Sequence, residues 1–100
     1  MKRRSVVIDS VARAEVAASV EWYCKRNLQA AEEFLKEFEY AVERIAENPA
    51  QFPTFAFGTR RVVFRKFPYS LVFREEGELV QIVAVAHARR HPGYWRKRIK

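Results

Sequence analysis

Two histidines, a late tyrosine and a set of arginines are the residues of this chain best suited to chemistry. His87, Arg89, Arg90 and His91 fall within five positions, with Tyr94 three residues further on. Arg61 and Arg65 stand earlier, on a segment that alternates like a strand. Metal-free cleavage of RNA needs a base for the 2′-hydroxyl, an acid for the leaving oxygen and cations beside the phosphate. Histidine titrates near neutrality and serves either proton role. Arginine offers a planar fork to a phosphate. Arg61, Arg65, His87, Arg90 and Tyr94 are therefore the candidate catalytic set for a nuclease. Each also has a plainer reading. His87 follows an apolar run and can cap the sheet edge by bonding to backbone. Tyr94 and Trp95 can anchor the last segment by packing. Two histidines without suitably spaced carboxylates supply no three-ligand metal set, and no glycine-rich phosphate loop or Ser–His–Asp pattern is present. The expectation is no metal and no cofactor.

The same residues support binding in place of catalysis. Arg89, Arg90, Arg96, Lys97, Arg98 and Lys100 form a basic tail with no acidic residue among them. Arg60, Arg61, Arg65 and Lys66 make a second cluster. Strand alternation would put Arg61 and Arg65 on one side, with Val63 between them. Residues 1–48 carry eight Lys/Arg against nine Asp/Glu, whereas residues 49–100 carry eleven against three. The basic excess thus lies in the second half and suits an anionic partner such as nucleic acid, a ribosome or an acidic protein segment. Arg89, Arg90, Tyr94, Trp95, Arg96 and Arg98 are the expected target-binding residues.

The elements that must position these residues fit one domain spanning residues 1–100, with the basic tail at 92–100. At 49% apolar residues, with eight Phe, four Tyr and two Trp, the chain can fill a core. No run approaches the length of a membrane span, and Lys2, Arg3 and Arg4 are not followed by a signal-peptide stretch. A cytoplasmic location is expected. Cys24 is the single cysteine, so no internal disulfide forms, and a packing role is expected for it.

Ser5–Ile8 reads as a first strand, and Asp9 or Ser10 as the cap of a helix from Val11 to about Arg26. Ala12, Val16, Val20 and Tyr23 share one face of that helix, with Glu15 off it. Asn27 marks a turn. Ala31, Phe34, Leu35, Phe38, Ala41, Val42 and Ile45 stripe a second helix that ends at Asn48–Pro49. A loop over residues 51–58 should tuck Phe52, Phe55 and Phe57 onto the core. Strands are expected at Arg61–Phe67, Tyr69–Arg74 and Leu79–Ala86, the last covered on both faces. From Pro92 onward the chain reads as irregular or weakly helical. The result is an α+β fold, β-α-α-β-β-β, with a helical hairpin packed on a small, mostly antiparallel sheet.

That order, with particular words at particular places, resembles the RelE/ParE superfamily of type II toxin–antitoxin systems. Ala14–Tyr23 (AEVAASVEWY) looks like the superfamily's first helix. Phe34–Pro53 (FLKEFEYAVERIAENPAQFP) looks like its second helix and exit loop. Arg60–Arg74 (RRVVFRKFPYSLVFR) looks like its middle hairpin, and Val83–Trp95 (VAVAHARRHPGYW) like its last strand and C-terminal segment. The long second helix and the third and fourth words are most similar to the ParE, or plasmid-stabilisation, branch. The resemblance implies a growth-inhibiting toxin acting on DNA gyrase and held silent, as a hetero-oligomer, by a cognate antitoxin lying across the helical hairpin and the sheet. Trp22, Arg61 and Arg65 are the expected antitoxin contacts, the other place for Trp22 being under the loop of Phe52 to Phe57. The RelE branch implies the ribosome and mRNA as targets instead, with the nuclease set above. A member that binds its antitoxin and poisons nothing is the third reading.

Overall fold

The computed structural model describes residues 3–99, so Lys2 and Lys100, both counted among the basic residues above, lie outside the described residues. Strand β1 (Ser5–Ile8) leads into helix α1 (Ser10–Cys24) and helix α2 (Leu28–Glu47). Strands β2 (Arg60–Val63), β3 (Tyr69–Glu76) and β4 (Leu79–His87) follow. The order is that expected, and the sheet runs β1-β4-β3-β2, antiparallel except for the parallel β1–β4 pair.

Local chemistry explains the helix bounds. Asp9 is the cap of α1: its Oδ1 accepts from the N–H groups of Val11 (2.9 Å) and Ala12 (3.3 Å). Asn27 marks the turn between the helices by capping α2, accepting from the N–H of Ala30 at 3.2 Å. Ala31, Phe34, Phe38, Ala41 and Ile45 of the α2 stripe are buried against Ala12 and Val16 of α1 and against Leu71, Phe73, Val80 and Ile82 of the sheet. Leu35, expected in that stripe, is 39% exposed, and Cys24 is exposed rather than packed. Phe34 sits at the centre of an aromatic group, 5.0–5.6 Å from the rings of Tyr23, Phe64, Phe67 and Tyr69.

Two features depart from the sequence expectation. First, β2 stops at Val63 instead of reaching Phe67. The N–H of Phe64 donates to the carbonyl of Tyr69, and the N–H groups of Arg65 and Lys66 turn to the carboxylate of Glu37 on α2. A helix side chain takes the donors that a longer ladder would have used. Second, the C-terminal segment is part of the core. Trp95 is 1% exposed and packs on Val72, Val83 and Ala84, on the sheet face opposite the helices. A β-bulge makes room for it. Val72 pairs with Ala84 and Phe73 with Ile82, so Val83 is an extra residue. Val83 and Ala84 consequently both serve the Trp95 cluster, while Ile82 and Val85 serve the helix side. Strand β4 is thus covered on both faces, as its apolar run requires.

The loop of residues 51–58 tucks inward at Phe52 and Phe55, which meet Phe73 and Trp95. Phe57 holds a left-handed backbone, φ 58°, and stays half exposed with its ring edge on Trp95.

Candidate functional site

The end of the sheet where β4 finishes carries most of the chemistry-bearing residues. Arg61, His87, Arg90, His91 and Tyr94 line a cleft of about 80 Å³ floored by Trp95. Four of the five nuclease candidates therefore meet. The fifth, Arg65, does not. Because β2 ends at Val63, alternation no longer places Arg65 beside Arg61, and it lines a separate groove between α2 and β2.

Within the cleft two of the candidate proton-transfer groups make structural bonds. The Nδ1 of His87 accepts from the N–H of Arg89 at 3.0 Å, so the neutral ring carries its proton on Nε2. Its ring stands edge-on to Tyr69 at 5.0 Å. This is the backbone cap that the plainer reading of His87 described. The Tyr94 hydroxyl donates to Oε2 of Glu15 at 2.6 Å. Burial, and then this bond to a carboxylate, push the Tyr94 phenol well above its ordinary range. A phenol so held is a poor general acid at neutral pH.

Spacing puts Glu15 off the apolar face of α1, yet it is the hub of a partly buried network. Its Oε1 accepts from the N–H of Val85 (3.0 Å) and from Arg98 (2.9 Å), and its Oε2 accepts from Tyr94 and from Arg98 (3.1 Å). Arg98 also donates to the carbonyl of Val83 at 3.1 Å. The geometry has a simple cause. Strand β1 ends at Ile8, leaving the edge of β4 beyond Ile82 without a strand partner. Glu15 takes the vacated N–H of Val85, and Arg98 takes the vacated carbonyl of Val83. Both side chains are less than one-fifth exposed.

These facts redistribute the expected target-binding set. Trp95 lies in the core, and Arg98 is spent on Glu15 and Val83, so neither presents a surface. Tyr94 presents only a ring face, because its hydroxyl is turned inward. Arg89, Arg90 and Arg96 are exposed. Arg90 stacks on Tyr94 at 3.8 Å, Arg61 on Phe55 at 4.2 Å and Arg96 on Phe57 at 4.5 Å.

The three expected antitoxin contacts are similarly dispersed. Trp22 is half exposed at the end of α1, under the guanidinium of Arg26 at 3.8 Å, and faces a shallow cleft shared with Tyr23, Tyr69 and His87. It does not pack under the loop of Phe52 to Phe57. Arg61 belongs to the cleft floored by Trp95, and Arg65 to the α2–β2 groove. That groove, about 310 Å³, lies beside β2, whose outer edge is bridged to Pro53 and Thr54 at Arg60 and Arg61 but has no strand partner at Val63 among the described residues. Tyr40 (63% exposed) and Val63 (60% exposed) supply its apolar surface, and Lys36, Arg44, Arg65 and Lys66 outweigh Glu33 and Glu37 to leave its rim net positive. Tyr40 and Glu37 were not singled out from the sequence. Both sit on the charged side of α2, where nothing in the spacing separates them from solvated neighbours.

The comparisons with known proteins agree with this architecture. The family model of the ParE toxin of the type II toxin–antitoxin system parDE matches residues 6–92. Among solved structures, the chain resembles one from a chromosomal ParDE toxin–antitoxin system of P. aeruginosa. The TM-score is 0.75 at 20% identity, over 87% of this chain and 98% of that one. A chain of the toxin–antitoxin complex RelBE2 from Mycobacterium tuberculosis gives a TM-score of 0.56 at 19% identity, over 85% and 98% of the two chains. At such identities the structural matches speak to the fold. A search of curated proteins gave no significant match. The family model, covering most of the sequence and the whole β-α-α-β-β-β order, settles the affiliation: this chain belongs to the ParE toxin family of type II toxin–antitoxin systems.

Proposed function

We propose that this toxin inhibits DNA gyrase and is silenced by a cognate antitoxin that occupies the groove between α2 and β2. The observation that carries the choice of gyrase over mRNA is the fate of the acid–base groups. Tyr94 is committed to Glu15, His87 accepts a backbone N–H through Nδ1, and Arg65 stands in another groove. A surface that lacks an assembled acid–base pair acts by contact, which is how the ParE branch is associated with gyrase.

The antitoxin reading rests on the Val63 end of the β2 edge, beyond the bridge of Arg60 and Arg61 to Pro53 and Thr54, and on the groove beside it. An extended segment can add a strand to that edge and lay alternate apolar side chains against Tyr40 and Val63. The cationic rim of Lys36, Arg44, Arg65 and Lys66 favours an acidic segment.

The test is a supercoiling assay with purified toxin and gyrase. The expected results are loss of supercoiling, accumulation of cleaved DNA, and reversal by the antitoxin. Unimpaired supercoiling at toxin in large excess over gyrase would sink the proposal. One observation favours a second reading, a ribosome-dependent nuclease: Arg61, His87, Arg90 and Tyr94 do line one cleft. Under it, His87→Ala lowers mRNA cleavage by about 100-fold or more. Pulse labelling in cells separates the readings, since a gyrase poison halts DNA synthesis first and a nuclease halts translation first. A chain that only binds its antitoxin would change neither.

A further inference from the structure

We propose that the arginine–aromatic face around Trp95, formed by Arg61, Arg90 and Arg96, binds the phosphodiester backbone of duplex DNA directly. This goes beyond the gyrase reading, and it is a property of the free chain, so either can fail alone.

The three guanidiniums are held alike. Each stacks on an aromatic ring, Phe55, Tyr94 or Phe57, at 3.8–4.5 Å. Those rings are themselves fixed. Phe55 and Phe57 lie 6.2 and 6.0 Å from the Trp95 ring, and Tyr94 packs in the same cluster and is tied to Glu15. A guanidinium stacked on one face keeps its N–H edge free for a bidentate anion and loses less side-chain freedom on binding. The contrast with other arginines is informative. Arg3, Arg4, Arg60, Arg74 and Arg98 each have a carboxylate partner. No ion pair engages Arg61, Arg90 or Arg96 among the described residues. Nor does any acidic side chain line the cleft shared by Arg61 and Arg90, where Ser70, His87 and His91 are polar neighbours. The face is therefore ordered, cationic and uncompensated.

Its shape selects the class of anion. The cleft holds about 80 Å³ and has no strand edge beside it, whereas the α2–β2 groove offers about 310 Å³ beside the Val63 end of β2. Ordered charges spread over a surface, with no strand edge to pair a peptide, suit a repeating phosphate backbone, contacted without regard to sequence.

The test is fluorescence anisotropy of a labelled 20-base-pair duplex with the purified chain, from about 50 to about 200 mM NaCl. Three phosphate contacts predict a slope of log K against log salt near −3. The triple substitution R61Q R90Q R96Q should weaken binding at least tenfold at the lowest salt, and each single substitution should reduce the slope by about one. A control with the same charge change elsewhere, R3Q R13Q K25Q, should retain most of the binding. Circular dichroism verifies that each variant is folded, and R61K R90K R96K, which keeps the charges, should restore the slope if the glutamine triple does not fold. Equal losses in the control and the test triple would overturn the proposal by making bulk charge the cause. Tighter binding to poly-glutamate than to the duplex would replace DNA by an acidic protein segment. Binding to single-stranded RNA of equal length with none to the duplex would overturn the assignment to DNA.

Discussion

Replacing Glu15 by glutamine removes one charge while leaving the volume almost unchanged. The carboxylate of Glu15 accepts four hydrogen bonds, from Val85, Tyr94 and both terminal nitrogens of Arg98. An amide has one acceptor oxygen, and its NH₂ group must face a donor. Arg98, 15% exposed, is then left without its counter-ion. Removing one partner of a buried pair costs about 3–5 kcal/mol. The pair retains some solvent contact and glutamine keeps one acceptor, so the expected loss is about 2–3 kcal/mol, nearer the lower figure of that range. For a domain of this size that is a fall in Tm of roughly 10–15 °C. Urea unfolding reads it directly, with Trp95 fluorescence isolated in a Trp22→Phe background. Arg98→Met should cost a similar amount, since it strands the carboxylate and the carbonyl of Val83. The double variant E15Q R98M should cost less than the sum of the singles by about 1 kcal/mol or more, because the second change removes a charge already stranded. Strictly additive losses, or single losses below about 0.5 kcal/mol, would refute the account of Glu15 and Arg98 as a coupled substitute for a missing strand.

Three further outcomes follow from the same geometry. Gly93 holds φ +87°, and a Cβ there would lie 2.6 Å from Cε2 of Phe57, so Gly93→Ala should destabilise the chain by more than about 1 kcal/mol. Thermal melts should show a smaller loss for the same change in a Phe57→Ala background, where only the backbone strain remains. Tyr94 has a folded pKa above its unfolded value near 10, so its contribution to stability is complete below that pH and is lost as pH rises beyond it. Spectrophotometric titration should show one tyrosine resisting ionisation until the fold gives way, and Tyr94→Phe should flatten the alkaline loss of stability. Val63→Glu puts a negative charge on the exposed strand edge proposed for an acidic antitoxin segment; calorimetry should register at least a tenfold weaker complex with the fold unchanged.

Which parts of this protein can be read from its sequence depends on the range of the interactions. The stripe from Ala31 to Ile45 and the apolar run of β4 specify helix and central strand through periodicity alone. Asp9 and Asn27 act on backbone within three residues, so the caps and turn are legible too. Glu15 is not, because its partners stand 70 to 83 positions away and a carboxylate on the polar side of a helix looks solvated. The end of β2 is hidden for the same reason: Glu37 draws the chain off the ladder from 28 residues earlier. The bulge at Val83 leaves no mark in a strand where every neighbour is apolar, yet it decides that Trp95 finds a two-residue seat. The candidate face was half legible. Arginines near aromatics mark Arg89 to Arg98 as a surface, but spacing alone does not separate Arg90 and Arg96, which stack outward on Tyr94 and Phe57, from Arg98, which turns inward.

The parallel pairing of β1 with β4 has a consequence for how the molecule is made. Ser5 sits beside Leu79, about 70 residues later in the chain, and Glu15 reaches still further to Arg98. Contacts of that separation bear a large loop-closure entropy and form late, whereas α1 and α2 can pair within microseconds of emerging. A nascent chain that has not yet reached Trp95 is a helical hairpin beside an unsealed sheet, with neither the arginine face nor the Glu15 network in place. The arginine face and the Glu15 network therefore await the synthesis of Trp95 and Arg98.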